Sequence, residues 1–484
     1  RQMLSESLLI AVIGAAGGLI LAGWLSHALV AYLSTQGNSF FVDLALDWRI
    51  FGFTAGLAIV ACLLFGLTPA IRATATNPGT TMKTAGRGTT DAHERFTVRR
   101  ALVVVQVALS LVLVVGALLF ARSLRNLATL DPGFREDGLL IVNLDLRRAN
   151  IPAETLPALY ERIVERLAQL PGVDAAAQAG IVPVTGSMWN NRIVIGGAVQ
   201  QMLVNFNSVG PDYFRTMGTP LVAGRAFDRR DDIHSPKTAI VNALFVKTFF
   251  GSANAVGRSF RIETGPGEPP VDYQIVGVVE DSKYADLREP IPPTAYLAAT
   301  QDAEPGPFLQ AVLHSSVALP SVSAAVTQTV RDINPAILLQ FSTMEQAIRD
   351  SLVSERMMAT LSGFFGVLAA LIATIGLYGV MSYMVARRKM EIGIRMALGA
   401  DAGAVVRLIV REAGLLLAIG LVVGIALSIA AGRTAASLLY ELKPWDVGSL
   451  AIGIAGLASV ALLASWLPAR RAARVAPTIA LREE

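Results

Sequence analysis

The residues best spaced to do something lie in one charged segment, RRKMEIGIRMALGADAGAVVRLIVRE, from Arg387 to Glu412. Glu391 and Arg395 stand four apart, so on a helix they share a face and can pair. Ile392, Ile394, Met396 and Leu398 supply an apolar side, with the small residues Gly393 and Ala397 between them. Gly399 followed by Asp401 then reads as a helix stop and a new N-cap. A helix of this kind holds no nucleophile and no base. It can lie on a lipid surface or receive a push from a protein partner, and the pattern permits both.

The rest of the sequence offers no reaction chemistry. A phosphate-binding loop ending in GK[ST], a GxSxG elbow and an HExxH helix are all absent from these residues. The histidines, His27, His93, His234 and His314, are too scattered for a metal signature, and a single cysteine, Cys62, rules out an intrachain disulfide. The expectation is a protein that is not an enzyme, with no catalytic residue, no metal and no cofactor of its own.

Positioning that segment requires membrane spans. Hydrophobic residues make up 53% of the 484 and charged ones 16%, the balance of a membrane protein with a folded soluble part. A helix needs about 20 uncharged residues to cross roughly 30 Å of hydrocarbon. Six stretches qualify: Ser7 to about Ser34, Ile50 to Ile71, Ala101 to Ala121, Met357 to Ala386, Ala413 to Gly432 and Val447 to Ala469. The fourth would be about 45 Å long as a helix, so it should project beyond the bilayer as a stalk. Ionisable residues are almost absent inside the spans, which disfavours a secondary transporter.

Basic residues sort the loops. The stretch from Arg72 to Arg100 carries Arg72, Lys83, Arg87, Arg95, Arg99 and Arg100 against Asp91 and Glu94, the Arg387 segment is likewise basic, and the tail holds Arg470, Arg471, Arg474 and Arg482. All three should be cytoplasmic. The large segment from Ser123 to Glu355 and the short Arg433 to Asp446 connection then fall outside. The net charge of +4 reflects this bias and calls for no nucleic-acid partner.

The sequence also repeats itself. At an offset of 406, Arg1, Glu6, Gly14 and Gly18 align with Arg407, Glu412, Gly420 and Gly424. At an offset of 399, Asp47, Pro69, Ala70, Ala73 and Pro78 align with Asp446, Pro468, Ala469, Ala472 and Pro477. The first two spans are thus a copy of the last two, with a connecting loop seven residues longer. Gly14 and Gly18, like Gly420 and Gly424, have the small-xxx-small spacing of a helix-packing seam. The second copy has two further spans with the soluble segment between them, so a four-span unit is implied. An upstream span, soluble domain and span of the first copy, with its own charged segment, are expected ahead of Arg1.

Outside the membrane, LLIVNLDL from Leu139, a helix from Pro152 and VDAAAQAG from Val173 form one strand-helix-strand unit. FLQAVLHS from Phe308, a helix from Ser321 and ILLQFSTM from Ile337 form another. Two such units suggest a ferredoxin-like α+β core split by a β-rich insertion over about 183–305. The resulting fold class is an α-helical polytopic membrane protein with an extracytoplasmic α+β domain. Its parts are two spans of a truncated first repeat (1–72), a cytoplasmic linker (73–100), one span (101–122), the extracytoplasmic domain (123–355) and three spans with the charged segment (356–484).

RRKMEIGIRMALGA, REAGLLLAIGLVVGIALS and LPARRAARVAPTIALRE, with GPDYFRTMGTPLVAGRAF and VGVVEDSKYADLRE outside the membrane, resemble the FtsX-like, MacB-like permeases of ABC transporters. The tandem copy further resembles the acidobacterial duplicated orphan permeases. The resemblance implies a bacterial inner-membrane permease with its large domain in the periplasm. It also implies a separate cytoplasmic ABC ATPase as partner, with ATP and magnesium on that ATPase and no cofactor on this chain. Membrane lipid, a periplasmic or outer-membrane partner and a pseudo-dimer of two permease repeats complete the implied associations. In such permeases the segment between the second and third spans is the coupling helix, which falls here on Glu391, Ile392, Gly393, Arg395, Met396, Ala397, Leu398 and Gly399. The implied function is mechanotransmission or efflux, the alternative being a membrane-anchored scaffold or regulator of envelope proteins working without an ATPase.

Overall fold

The computed structural model describes residues 2–33, 48–62, 90–251, 253–263, 270–387, 394 and 401–472. Among these residues the first helices are α1 (Gln2–Leu33), α2 (Trp48–Cys62) and α3 (Thr90–Ala128). Then follow β1 (Leu139–Asp145), α4 (Leu156–Ala168), β2 (Val173–Gln178), β3 (Asn190–Asn191), β4 (Ile193–Ile195), β5 (Ala198–Val199) and β6 (Val204–Val209). After α5 (Tyr213–Met217) come β7 (Leu221–Gly224), β8 (Thr238–Asn242), α6 (Ala243–Phe250), β9 (Ser259–Ile262), β10 (Asp272–Val279) and β11 (Thr294–Ala298). The strand β12 (Phe308–Ser315), α7 (Leu319–Ile333), β13 (Leu338–Thr343) and α8 (Met344–Ser351) lead to three long helices, α9 (Val353–Arg387), α10 (Ala402–Thr434) and α11 (Val447–Ala472). The chain divides into a helical unit, 1–125 with 354–484, and an α+β unit, 126–353.

Among the described residues, five stretches are long and apolar enough to cross a membrane: Leu8–Ala28, Arg100–Ala128, Val353–Ala386, Gly403–Thr434 and Val447–Arg471. The second predicted span, from Ile50 to Ile71, is helical as far as Cys62 and continues outside the described residues. Along α3 the buried side chains include a stripe at every fourth residue, Val103, Val107, Leu111, Val115 and Leu119. They share a core with Leu377 and Met381 of α9, Ile409 and Leu416 of α10, and Leu457 and Ala461 of α11.

In the α+β unit, β13, β1, β12 and β2 form a four-stranded antiparallel sheet in that order. Alternation decides which residues are core: Leu140, Val142 and Leu144 pack on one face with Tyr160, Ile163 and Leu167 of α4 and with Val326 and Val330 of α7. The second sheet has nine strands, ordered β3-β6-β11-β8-β10-β9-β4-β5 with β7 on β10. Its pairs β6·β11 and β8·β10 are parallel. Phe206, Phe245 and Phe260 fill its core, the last two 5.4 Å apart between ring centroids. Asn242 joins two elements there, because its Oδ1 accepts the Phe245 N–H at 3.0 Å, capping α6, and the Thr294 N–H at 2.9 Å, holding β11. The two sheets meet where Gly180 N–H donates to Ser208 O at 2.7 Å and Gly210 N–H to Gln178 O at 2.9 Å.

Candidate functional site

The coupling residues inferred from sequence, Glu391, Ile392, Gly393, Arg395, Met396, Ala397, Leu398 and Gly399, lie outside the described residues. Their flanks are defined. Helix α9 runs unbroken to Arg387, and α10 opens at Ala402 with Asp401 extended at its N-cap. The Asp401 carbonyl accepts the Ala404 N–H at 2.9 Å, and its carboxylate makes no capping bond. Ile394 is helical and 45% exposed.

What the flanking helices can transmit depends on how they are joined. In lipid, association comes from close packing and polar contacts instead of from hydrophobic burial. Gly420 and Gly424 supply the first. A Cβ at Gly420 would lie 2.8 Å from Val107 Cβ and 3.1 Å from Val104 O, and one at Gly424 would lie 3.1 Å from both Ala108 Cα and Ala108 O. Helices α3 and α10 therefore touch almost backbone to backbone. Around Gly14 and Gly18 of α1, by contrast, a Cβ would meet nothing within 4 Å among the described residues.

Polar contacts fix the same helices. Within the uncharged run of α3, Ser110 Oγ donates to Ala369 O of α9 at 2.9 Å. Gln106 lies so near α9 that a Cβ at Gly376 would fall 2.3 Å from its Oε1. At one end of α3, Arg100 pairs with Glu412 of α10. Toward the other, Arg122 pairs with Asp446, whose carboxylate also accepts the Ser449 N–H at 2.7 Å at the start of α11. Sequence reasoning gave none of these four charged residues a part in joining helices. Glu412 and Asp446 nevertheless sit at repeat-matched positions, and that was the signal available. The geometry can hold helices in register and move them together. Among the described residues no three His, Cys, Asp or Glu side chains gather as a metal site would need.

The chain matches the FtsX-like permease C-terminal family over residues 1–78 and 363–477 and the MacB-like periplasmic core domain over 101–329. Among curated proteins it is 30% identical over 293 residues to the pyoverdine export ATP-binding/permease protein PvdT of Pseudomonas aeruginosa, covering 56% of this chain and 41% of the relative. It is 24% identical over 350 residues to the macrolide export ATP-binding/permease protein MacB 2 of Aeromonas hydrophila, covering 69% and 50% respectively. It thus spans about half the length of these relatives or less. Among solved structures, the periplasmic region of MacB from Actinobacillus actinomycetemcomitans aligns with a TM-score of 0.32 at 13% identity, over 44% of this chain and 92% of that one. The chain joins an FtsX-like permease region of the inner membrane to a MacB-like core domain on the periplasmic side.

Proposed function

We propose that the chain is the transmembrane permease subunit of an efflux or mechanotransmission complex, in which a separate cytoplasmic ATPase moves the periplasmic domain. The observation that carries this reading is α9. It is one helix of 35 residues, Val353–Arg387, leading without a break from the end of the α+β unit to the start of the charged segment. At 1.5 Å per residue it is about 52 Å long, well beyond the roughly 30 Å of hydrocarbon. A continuous helix passes an axial displacement from one end to the other without loss in a hinge.

In this reading Glu391 and Arg395 take the ATPase's stroke. The α3 contacts with α9 and α10 support it, because they leave few ways for α9 to move alone. We read the strand order of the four-stranded sheet as ferredoxin-like and the apolar sequence from Ile50 to Ile71 as a sixth span. The shared family description of residues 1–78 and 363–477 supports two copies of a permease unit about a pseudo-twofold axis, the arrangement of duplicated orphan permeases.

The test is the Glu391→Ala/Arg395→Ala variant of the full-length protein, expressed with its cognate ATPase. Co-purification of the ATPase should fall, or its hydrolysis should lose its dependence on the permease. Unchanged association together with unchanged permease-dependent hydrolysis would overturn the assignment, and failure of the wild type to associate with any ATPase would favour a scaffold.

A further inference from the structure

Within the α+β unit, a groove of about 560 Å³ separates α4 from the loop that follows β7 and from the stretch after β11. This volume suits a drug-sized molecule, for which sites of about 300–1,000 Å³ are usual. Its apolar walls come from both sides, Tyr160 and Val164 from α4 and Phe227 and Ile233 from the loop. Ile233 is 47% exposed. The Tyr160 hydroxyl donates to Gly306 O, and burial pushes its pKa up to about 12, so the phenol is neutral and already bonded.

The charge of the lining is one-sided. Six carboxylates face one guanidinium, that of Arg229. Glu165 pairs with Arg229 at 2.8 Å, Asp228 with Arg230 at 2.7 Å and Asp212 with Arg215 at 3.1 Å. Among the described residues, Glu161, Asp232 and Asp302 form no ion pair. Asp232 and Asp302 accept only nearby backbone N–H groups, those of His234, Ser235 and Glu304. An anion entering here meets more carboxylates than the already paired Arg229 can offset. A neutral apolar molecule gains from the walls and leaves the carboxylates unused.

We propose that this groove binds a compact amphipathic cation, its apolar body against Val164, Phe227 and Ile233 and its charge among Glu161, Asp232 and Asp302. Because one wall belongs to α4 of the four-stranded core and the other to the inserted subdomain, occupancy would tie the two together. Binding at equilibrium needs no ATPase, so this site stands or falls separately from the coupling reading.

The test uses the full chain in nanodiscs of zwitterionic lipid, with the cationic dye rhodamine 6G and the anionic dye fluorescein as probes read by fluorescence anisotropy. Rhodamine 6G should bind saturably and more weakly as salt rises. The Glu161→Gln/Asp232→Asn/Asp302→Asn variant keeps a side-chain acceptor for each of those backbone N–H groups and should bind about tenfold more weakly. Ala158→Trp, which fills the groove from the exposed side of α4, should abolish saturable binding while leaving the circular dichroism spectrum unchanged. Equal binding by the wild type and the triple variant, equal binding of fluorescein, or no saturable component beyond that of empty nanodiscs would each overturn the proposal.

Discussion

Gly420 meets Val107 so closely that a methyl group added at residue 420 would lie 2.8 Å from both Val107 Cβ and Val107 Cγ1. Val107 is 1% exposed and belongs to the packed stripe of α3, so it has little freedom to retreat. Gly420→Val should cost about 2 kcal/mol by overpacking and lower the melting temperature in detergent. Gly456→Ala is the control, since a Cβ there meets nothing within 4 Å among the described residues; it should leave the melting temperature unchanged or slightly raised. Equal effects of the two changes would mean that α3 and α10 do not depend on the seam.

The Arg122 to Asp446 pair separates a charge effect from a capping effect. Both side chains are partly exposed, at 39% and 25%, so the ion pair itself is worth less than about 1 kcal/mol. The Asp446 carboxylate also accepts the Ser449 N–H at 2.7 Å, and a cap of that kind is worth about 1 kcal/mol. Asp446→Asn keeps an acceptor and loses the charge; Asp446→Ala loses both. Thermal unfolding should therefore rank wild type above Asn and Asn above Ala. An Asn variant as damaged as the Ala variant would remove the cap from the account.

The two sheets differ in how much of them could be read beforehand. LLIVNLDL and FLQAVLHS are near-continuous apolar runs with turn residues around them, and the strands fall on Leu139–Asp145 and Phe308–Ser315. The inserted subdomain was legible only as β-rich, because its strands are as short as two or three residues and its order follows from distant pairings such as Thr294 with Asn205. Helix α5 is five residues long, below the length at which a helical period shows. In the membrane, the spacing of Gly420 and Gly424 was visible, but their partner Val107 was not. Gln106 and Ser110 stood out only as interruptions of an apolar run, and nothing local says that they face α9.

Asp231 is a buried acceptor at the centre of several bonds. It is 2% exposed and takes the Arg225 guanidinium through both oxygens, at 2.7 and 2.8 Å, with the Asp228 N–H at 3.0 Å. Burial alone would raise its pKa, but the Arg225 and Asp228 hydrogen bonds outweigh it and hold the carboxyl below its ordinary value. A lowered folded pKa gives stability that is complete above the ordinary carboxylate value of about 4 and is lost as pH falls through the folded value. Asp231→Asn should cost about 2 kcal/mol at neutral pH by leaving Arg225 with only its longer carboxylate contact, to Asp228 at 3.5 Å. Its melting temperature should also decline less steeply than that of the wild type below about pH 4. Parallel pH profiles for the two proteins would show that Asp231 does not carry the acid sensitivity.

The last prediction concerns the strand of chain between α3 and β1. Gly133 has φ of +80°, and a Cβ there would lie 2.3 Å from Asp281 O and 2.8 Å from Ser282 Cα. Its neighbours are bonded to the inserted subdomain on both sides: Lys283 N–H donates to Pro132 O at 2.8 Å, Arg135 N–H to Met217 O at 2.7 Å, and Thr219 Oγ1 to Gly133 O at 3.1 Å. The connection from α3 is thus stitched to the insertion before it reaches the four-stranded sheet. Gly133→Ala adds a left-handed backbone strain of about 1–3 kcal/mol to a clash with main chain that no rotamer can relieve. Hydrogen exchange should lose protection at residues 131–135 and 281–283 while Leu140 to Leu144 of β1 stay protected by their ladder with β12 and β13. Unchanged exchange at 131–135 would mean the stitch is not what holds this connection, whereas loss confined to it would show that the insertion can be released without unfolding the core.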